Sequence, residues 1–156
     1  MIVRVGDLPA EGLKLDLPLE IGPLSYEGGL DINVAGARLV VQVLPSRQGL
    51  VCAGSLAATA MVPCSRCLEP FAIPVEREFE LSYLRTLSAE PASELQISRD
   101  DLDVSYLDEN GALDITDVAS EQIYLGLPMK PLCAPECKGL CFRCGANRNA
   151  ESCGCR

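Results

Sequence analysis

The sequence predicts an α+β fold that is mainly β: an antiparallel sheet or small open barrel with one helix and a cysteine-rich C-terminal tail. Three observations carry this. Long β-branched or alternating runs fill residues 1–87, one helical stripe follows an acidic stretch, and the last residues are dense in cysteine but poor in large apolar side chains. The chain has 156 residues, a length suited to one ordinary domain with a small appendage.

Leu13-Lys14-Leu15-Asp16-Leu17 alternates apolar and polar residues before Pro18. Ala37 to Leu44 is rich in β-branched residues and stops at Pro45, and Gly49 to Val62 continues with small residues on alternate positions. Phe71 to Leu84 shows the period of two that marks a strand with one buried and one wet face. Pro70 and Pro74 place the start of that strand at an edge or an irregularity. Ser88 to Ser98 is polar and acidic and predicts a loop. Leu102–Leu107 and Ala112-Leu113, joined by Asn110-Gly111, predict a short hairpin, because Asn-Gly suits a tight primed turn. Ile115, Val118, Ala119 and Ile123 form a helical stripe over about 115–125, with Asp114 or Thr116 as cap and Gly126 and Pro128 as the stop. The expected organisation is a mainly β body over 1–87, an acidic connector with hairpin and helix over 88–129 within the same domain, and a tail over 130–156.

Charge divides along the same lines. The chain has 13 basic and 22 acidic side chains, a formal charge of −9. Ser88 to Glu121 holds ten acids against Arg99 alone, so 1 − 10 = −9 resides in that window and the remainder sums to zero. Residues 130–156 carry Lys130, Lys138, Arg143, Arg148 and Arg156 against Glu136 and Glu151, or +3. An acidic segment repels nucleic-acid phosphates and suits a basic protein. Its Asp100, Asp101 and Asp103 lack basic or aromatic companions and read as a solvated edge.

Histidine is absent, which excludes Ser-His-Asp and Cys-His catalysis, an imidazole base and imidazole metal ligands. No phosphate-cradling glycine loop occurs, and nothing points to a small-molecule substrate or a catalytic residue. The first residues reach Asp7 and Pro9 too soon for a signal peptide, and Leu50 to Pro63 is too short for a membrane span, so a cytoplasmic protein with no membrane partner is expected.

In a reducing compartment clustered cysteines serve metals or redox chemistry more often than disulfides. Eight of the nine fall into close pairs: Cys64 and Cys67, Cys133 and Cys137, Cys141 and Cys144, Cys153 and Cys155. Cys141-Phe142-Arg143-Cys144-Gly145 has the spacing of a zinc knuckle, which lets two sulfurs face one tetrahedral ion. Leu132, Leu140 and Phe142 are too few to fold the tail by burial alone, and bound Zn²⁺ can supply the missing stability. Two groupings are open. Cys64 and Cys67 could join Cys141 and Cys144, or Cys133, Cys137, Cys141 and Cys144 could close a site with Cys153 and Cys155 in reserve. The competing chemistry is a thiol oxidoreductase or metal-handling protein using Cys64 and Cys67, or an iron–sulfur cluster. A strand pattern follows Cys67, however, where a redox C-x-x-C would open a helix. Cys52, among small strand residues, reads as core.

Two segments resemble a known family. Cys64-Ser65-Arg66-Cys67-Leu68-Glu69-Pro70-Phe71, and Leu127-Pro128-Met129-Lys130-Pro131-Leu132-Cys133 running through Cys137-Lys138-Gly139-Leu140-Cys141 to Cys144-Gly145-Ala146-Asn147, are similar to the YceD proteins of bacteria and chloroplasts. Arg148 and Phe142 stand where many members have leucine and proline. The resemblance implies a non-enzymatic factor for large-subunit ribosomal RNA accumulation and ribosome biogenesis. It also implies a partner in a large-subunit ribosomal protein or pre-ribosomal particle. If RNA is contacted directly, Lys130, Lys138, Arg143 and Arg148 are the candidate phosphate contacts.

Overall fold

The structure is a computed structural model that describes residues 1–26, 30–85 and 104–155. Its strands are β1 (Ile2–Arg4), β2 (Leu13–Leu19), β3 (Leu24–Tyr26), β4 (Leu30–Pro45), β5 (Gly49–Pro63), β6 (Pro70–Leu84), β7 (Val104–Tyr106) and β8 (Ala112–Asp114), followed by helix α1 (Ile115–Gly126). The fold is mainly β with one helix, and its sheets are open rather than closed into a barrel.

Three long antiparallel strands make the body. Leu39, Val41 and Val43 of β4 alternate inward, as do Leu50, Cys52, Leu56, Ala58, Ala60 and Val62 of β5, so each strand presents one apolar face. β4 pairs with β5 and β5 with β6, giving the order β2-β4-β5-β6-β7, with β3 beside the start of β4. A register shift between Ala35 and Arg38 is made by Gly36 at φ +63°, a conformation that costs a residue with a Cβ far more than glycine. Pro18 lies in edge strand β2, and Pro74 lies in the part of β6 that β7 does not reach, so each sits where its strand is paired on one side only.

Helix α1 covers the inner face against β5 and β6. Its buried side, Ile115, Val118, Ala119, Gln122 and Ile123, is the predicted stripe with one added glutamine. Asp114 is the cap, its carboxylate accepting the Thr116 amide at 2.8 Å, which lowers its pKa. At the other end Tyr124 Oη donates to the Ser25 carbonyl at 2.7 Å and ties the helix to β3. The opposite face of the sheet is wet, with Glu76, Glu78 and Glu80 exposed along β6.

The expected hairpin over 102–113 does not form. The turn exists, with Gly111 N–H donating to the Asp108 carbonyl at 2.9 Å, but its arms part. β7 runs parallel to the end of β6, and β8 pairs with β1 at the N-terminus. Leu107 is buried in the main core between those arms. Packing thus outweighs the local turn signal. The predicted loop at Ser88–Ser98 and the Asp100, Asp101 and Asp103 cluster lie outside the described residues.

Candidate metal centre

After β5 the chain turns through Cys64-Ser65-Arg66-Cys67. Cys64 N–H donates to Glu69 O at 2.9 Å and Leu68 N–H to Cys64 O at 2.9 Å, closing a tight corner in which Leu68 takes φ +63°. The tail is laced to this corner by backbone. Ser65 N–H donates to Pro131 O at 2.8 Å, and Leu140 N–H to Arg66 O at 3.0 Å. The Arg66 guanidinium donates from Nη1 to the carbonyls of Cys137 (2.9 Å) and Pro135 (3.3 Å).

This lacing brings Cys64, Cys67, Cys133 and Cys137 into one tetrad, with all four sulfurs within 4.8 Å of one another. Cys64 and Cys137 Sγ lie 3.8 Å apart, Cys67 and Cys133 Sγ 3.7 Å. Tetrahedral bonds of about 2.3 Å from a metal to sulfur give edges of about 3.8 Å, so the cage has the size of a single tetrahedral ion. Cys64 is 0 % exposed, Cys67 and Cys137 are buried, and only Cys133 reaches solvent.

Beyond Leu140 the chain forms a knuckle. Cys141 N–H donates to Ala146 O and Gly145 N–H to Cys141 O, both at 2.8 Å, with Gly145 at φ +73°. That left-handed residue turns the chain back, and Cys153 and Cys155 complete a second tetrad with Cys141 and Cys144. Here only Cys141 is buried. Phe142, at the knuckle tip, is 91 % exposed, with the Arg143 guanidinium 5.6 Å above its ring.

Burial opposes ionisation of Cys64, but the amides of Cys133, Cys67 and Arg66 aimed at its sulfur bring the thiol down to about 6. Burial and then the Cys137 sulfur push Cys133 up to about 12. In the second tetrad the amides of Cys144 and Arg143 hold Cys141 near about 6, while the Cys144 sulfur pushes Cys155 up to about 11. Each tetrad thus contains thiols that ionise readily, Cys64 and Cys137 in the first and Cys141 in the second, beside others that their neighbours hold protonated. A divalent cation removes that restraint, since it is bound by thiolates and stabilises them all. Either tetrad could hold a metal ion.

The eight paired cysteines therefore gather into two tetrads, in neither predicted grouping. Cys64 and Cys67 meet Cys133 and Cys137, and the knuckle pair meets Cys153 and Cys155, which are not reserves. The missed signals were Arg66 and the asparagines of the tail. Asn149 Nδ2 donates to Cys137 Sγ at 3.2 Å, its Oδ1 accepts the Lys138 amide at 2.8 Å, and Asn147 Oδ1 accepts from Asn149 Nδ2 at 3.0 Å. Such outer contacts orient sulfur and spread its charge. Cys52 is core, its thiol pushed up to about 11 by burial. Among the predicted phosphate contacts, Lys138 and Arg148 line one hollow of about 330 Å³ beside the second tetrad, together with Phe142. Arg143 stacks on that ring, whereas Lys130 is exposed elsewhere along the tail.

Fold and site define a class: a mainly β protein whose C-terminal segment is organised by two all-cysteine tetrads of metal-binding size. The family model described as large ribosomal RNA subunit accumulation protein YceD matches residues 52–156, and the chain belongs to that family. An uncharacterized protein of Mycobacterium tuberculosis is 31% identical over 106 residues, 67% of this chain and 47% of that protein. A Mycobacterium leprae counterpart is 26% identical over 125 residues, 80% of this chain and 52% of its own length. A maize protein named large ribosomal RNA subunit accumulation protein YCED homolog 1, chloroplastic, is 42% identical over 45 residues, 28% of this chain and 15% of that protein. The chain spans about half the length of the mycobacterial relatives. No solved structure gives a significant match. No described helix is long and apolar enough to cross a membrane.

Proposed function

We propose that this protein is a non-enzymatic factor for accumulation of large-subunit ribosomal RNA, with one Zn²⁺ in each tetrad as architecture. The family match over residues 52–156, which spans both tetrads, carries this reading. Zinc is the metal that four thiolates in a tetrahedral cage favour, and four protein ligands leave no open position for a substrate. Residues 1–129 act as one body and 130–156 as the zinc-held tail. The protein works in the cytoplasm on a large-subunit ribosomal protein or pre-ribosomal particle. The acidic connector receives the basic partner. Direct RNA contact, if made, uses Lys138, Arg148 and Arg143 around the knuckle, with Lys130 as an outlying charge. Each centre of four thiolates and one Zn²⁺ carries −2, and the two together, −4, outweigh the tail's +3, so the protein partner is the stronger part of this reading.

Depletion of the protein followed by quantification of ribosomal RNA tests it. The expected result is a fall in the large-subunit RNA relative to the small; an unchanged ratio overturns the reading. A second reading, a thiol oxidoreductase using Cys64 and Cys67, draws on the low pKa of Cys64. Full burial of that sulfur opposes it. Thiol titration separates the two: no reactive pair in metal-loaded protein supports architecture, and one fast-reacting pair supports redox chemistry.

A further inference from the structure

The two cysteine knuckles are one turn built twice. Cys64-Ser65-Arg66-Cys67-Leu68-Glu69 and Cys141-Phe142-Arg143-Cys144-Gly145-Ala146 correspond residue for residue, each with arginine in the third place. In each, the first cysteine's N–H donates to the carbonyl of the sixth residue, at 2.9 Å and 2.8 Å. The fifth residue's N–H returns to the first cysteine's carbonyl, again at 2.9 Å and 2.8 Å, from φ +63° and +73°. The arginine's own amide points at the first sulfur in both.

Their outer groups differ in what they meet. At the first knuckle the chain's own tail occupies them. Ser65 N–H donates to Pro131 O, the Arg66 carbonyl accepts Leu140 N–H, and Arg66 Nη1 donates to the carbonyls of Pro135 and Cys137. The corresponding groups of the second knuckle are Phe142 N–H, the Arg143 carbonyl and the Arg143 guanidinium. They make no hydrogen bond or ion pair among the described residues. Phe142 and Arg143 are both exposed, with the guanidinium over the ring. Stacking engages the face of a guanidinium and leaves the N–H groups along its edge free to donate.

The occupant of the first knuckle indicates what suits the second. Of the three tail carbonyls held there, two belong to prolines, Pro131 and Pro135. Proline brings no N–H of its own to satisfy, keeps a chain extended, and packs on aromatic rings. With both ions bound, −4 at the centres against +3 on the tail leaves no excess positive charge, so a phosphate backbone gains little here. Neutral carbonyls need only donors in the right place.

We propose that the open face of the second knuckle docks an extended, proline-containing segment of a partner protein, as residues 131–140 of the chain itself dock on the first. Partner carbonyls receive the Phe142 N–H and the Arg143 guanidinium, a partner N–H meets the Arg143 carbonyl, and a prolyl ring packs on the Phe142 ring. The inference deepens the proposed protein partnership by naming a surface for it, and it rests on that reading only for the partner's identity.

The test is NMR titration of the full zinc-loaded chain with acetyl-Pro-Leu-Ser-Ala-Pro-Glu-Ser-amide, which is residues 131–137 with serine at both cysteines. A Gly-Ser peptide of equal length, acetyl-Gly-Ser-Gly-Ser-Gly-Glu-Ser-amide, is the control. The expected result is saturable shifts in the millimolar range at the amides of Phe142, Arg143 and Cys144 with the first peptide and none with the control. Ser65 and Arg66, whose face is filled, stay unmoved. Arg143→Ala weakens binding about tenfold and Phe142→Ser about threefold. Both positions are exposed, so each variant keeps its zinc. Neutralising the neighbouring cations with Lys138→Gln and Arg148→Gln changes affinity less than twofold. Absence of shifts at the knuckle, equal binding of the control peptide, or insensitivity to Arg143→Ala overturns the proposal. So does displacement of the peptide by oligouridylate at lower concentration, which would make the face a nucleic-acid surface. A normal ribosomal RNA balance after depletion, with peptide binding intact, would instead sink the ribosomal reading and leave this surface standing.

Discussion

The two tetrads share one chemistry and carry different loads. The first joins residues 66 and 73 positions apart, Cys67 with Cys133 and Cys64 with Cys137, and is buried against the sheet corner. The second is closed entirely between Cys141 and Cys155, with only Cys141 buried. A cross-link over a long loop restricts the unfolded chain more than a local one. Four cysteines therefore make a clamp between distant segments in one place and a self-contained knuckle in the other. Burial and sequence separation, not ligand type, decide which.

Losing one sulfur from each tetrad tests this contrast most severely. Cys137→Ser should release the tail, lower bound zinc from two to about one per chain, and cost several kcal/mol, part of the roughly 10 kcal/mol that structural zinc can supply. Trypsin should then cut after Lys138 much faster, as read by mass spectrometry. Cys144→Ser should lower zinc equally but leave cleavage after Lys138 slower than in Cys137→Ser. Equal proteolysis of the two variants would break the distinction. Removing Arg66 is the next step down. Arg66→Ala deletes the bonds to the Pro135 and Cys137 carbonyls and should cost about 1–3 kcal/mol in thermal unfolding, with both zinc ions retained. Asn149→Ala, which removes the donor to Cys137 Sγ, should weaken zinc at the first tetrad about 10- to 100-fold in chelator competition and spare the second.

The smallest effect belongs to the body. The Asp114 carboxylate is lowered below 3.8 by the Thr116 amide, so its stabilising effect is complete above that value and fades as pH falls through the lower folded pKa. Asp114→Ala should cost about 1 kcal/mol near neutrality. That difference should shrink on acidification below about pH 4, with zinc content at neutral pH unaltered. A variant that lost zinc at neutral pH would show the body and the first tetrad to be more tightly coupled than the contrast allows.

Much of this fold is legible in the sequence because long strands and a helix repeat their signal. The alternation of Phe71 to Leu84 and the stripe from Ile115 to Ile123 name their own buried faces. Strands of three residues have no period to read, so β1, β3 and the separate fates of β7 and β8 escape notice. Val3 pairs with Leu113, 110 positions further along the chain, which no local pattern announces. The cysteines are legible as pairs, since C-x-x-C brings two sulfurs together. Which pair meets which is not, because that is decided by Arg66 reaching two tail carbonyls and by Gly145 reversing the knuckle. Family membership was legible through the motif around Cys64 and the tail together.

The 66-residue span between Cys67 and Cys133 has a kinetic consequence. If the tetrads bind metal as proposed, the knuckle should capture an ion as soon as Cys155 is made, since closing a short loop is fast and needs nothing else folded. The other cage exists only after β5, β6 and α1 have docked and carried Pro131 to Ser65. Refolding in the presence of zinc should then take up metal in two phases, one prompt and one keeping pace with formation of the sheet. On the proposed reading the slower uptake would mark completion of the body.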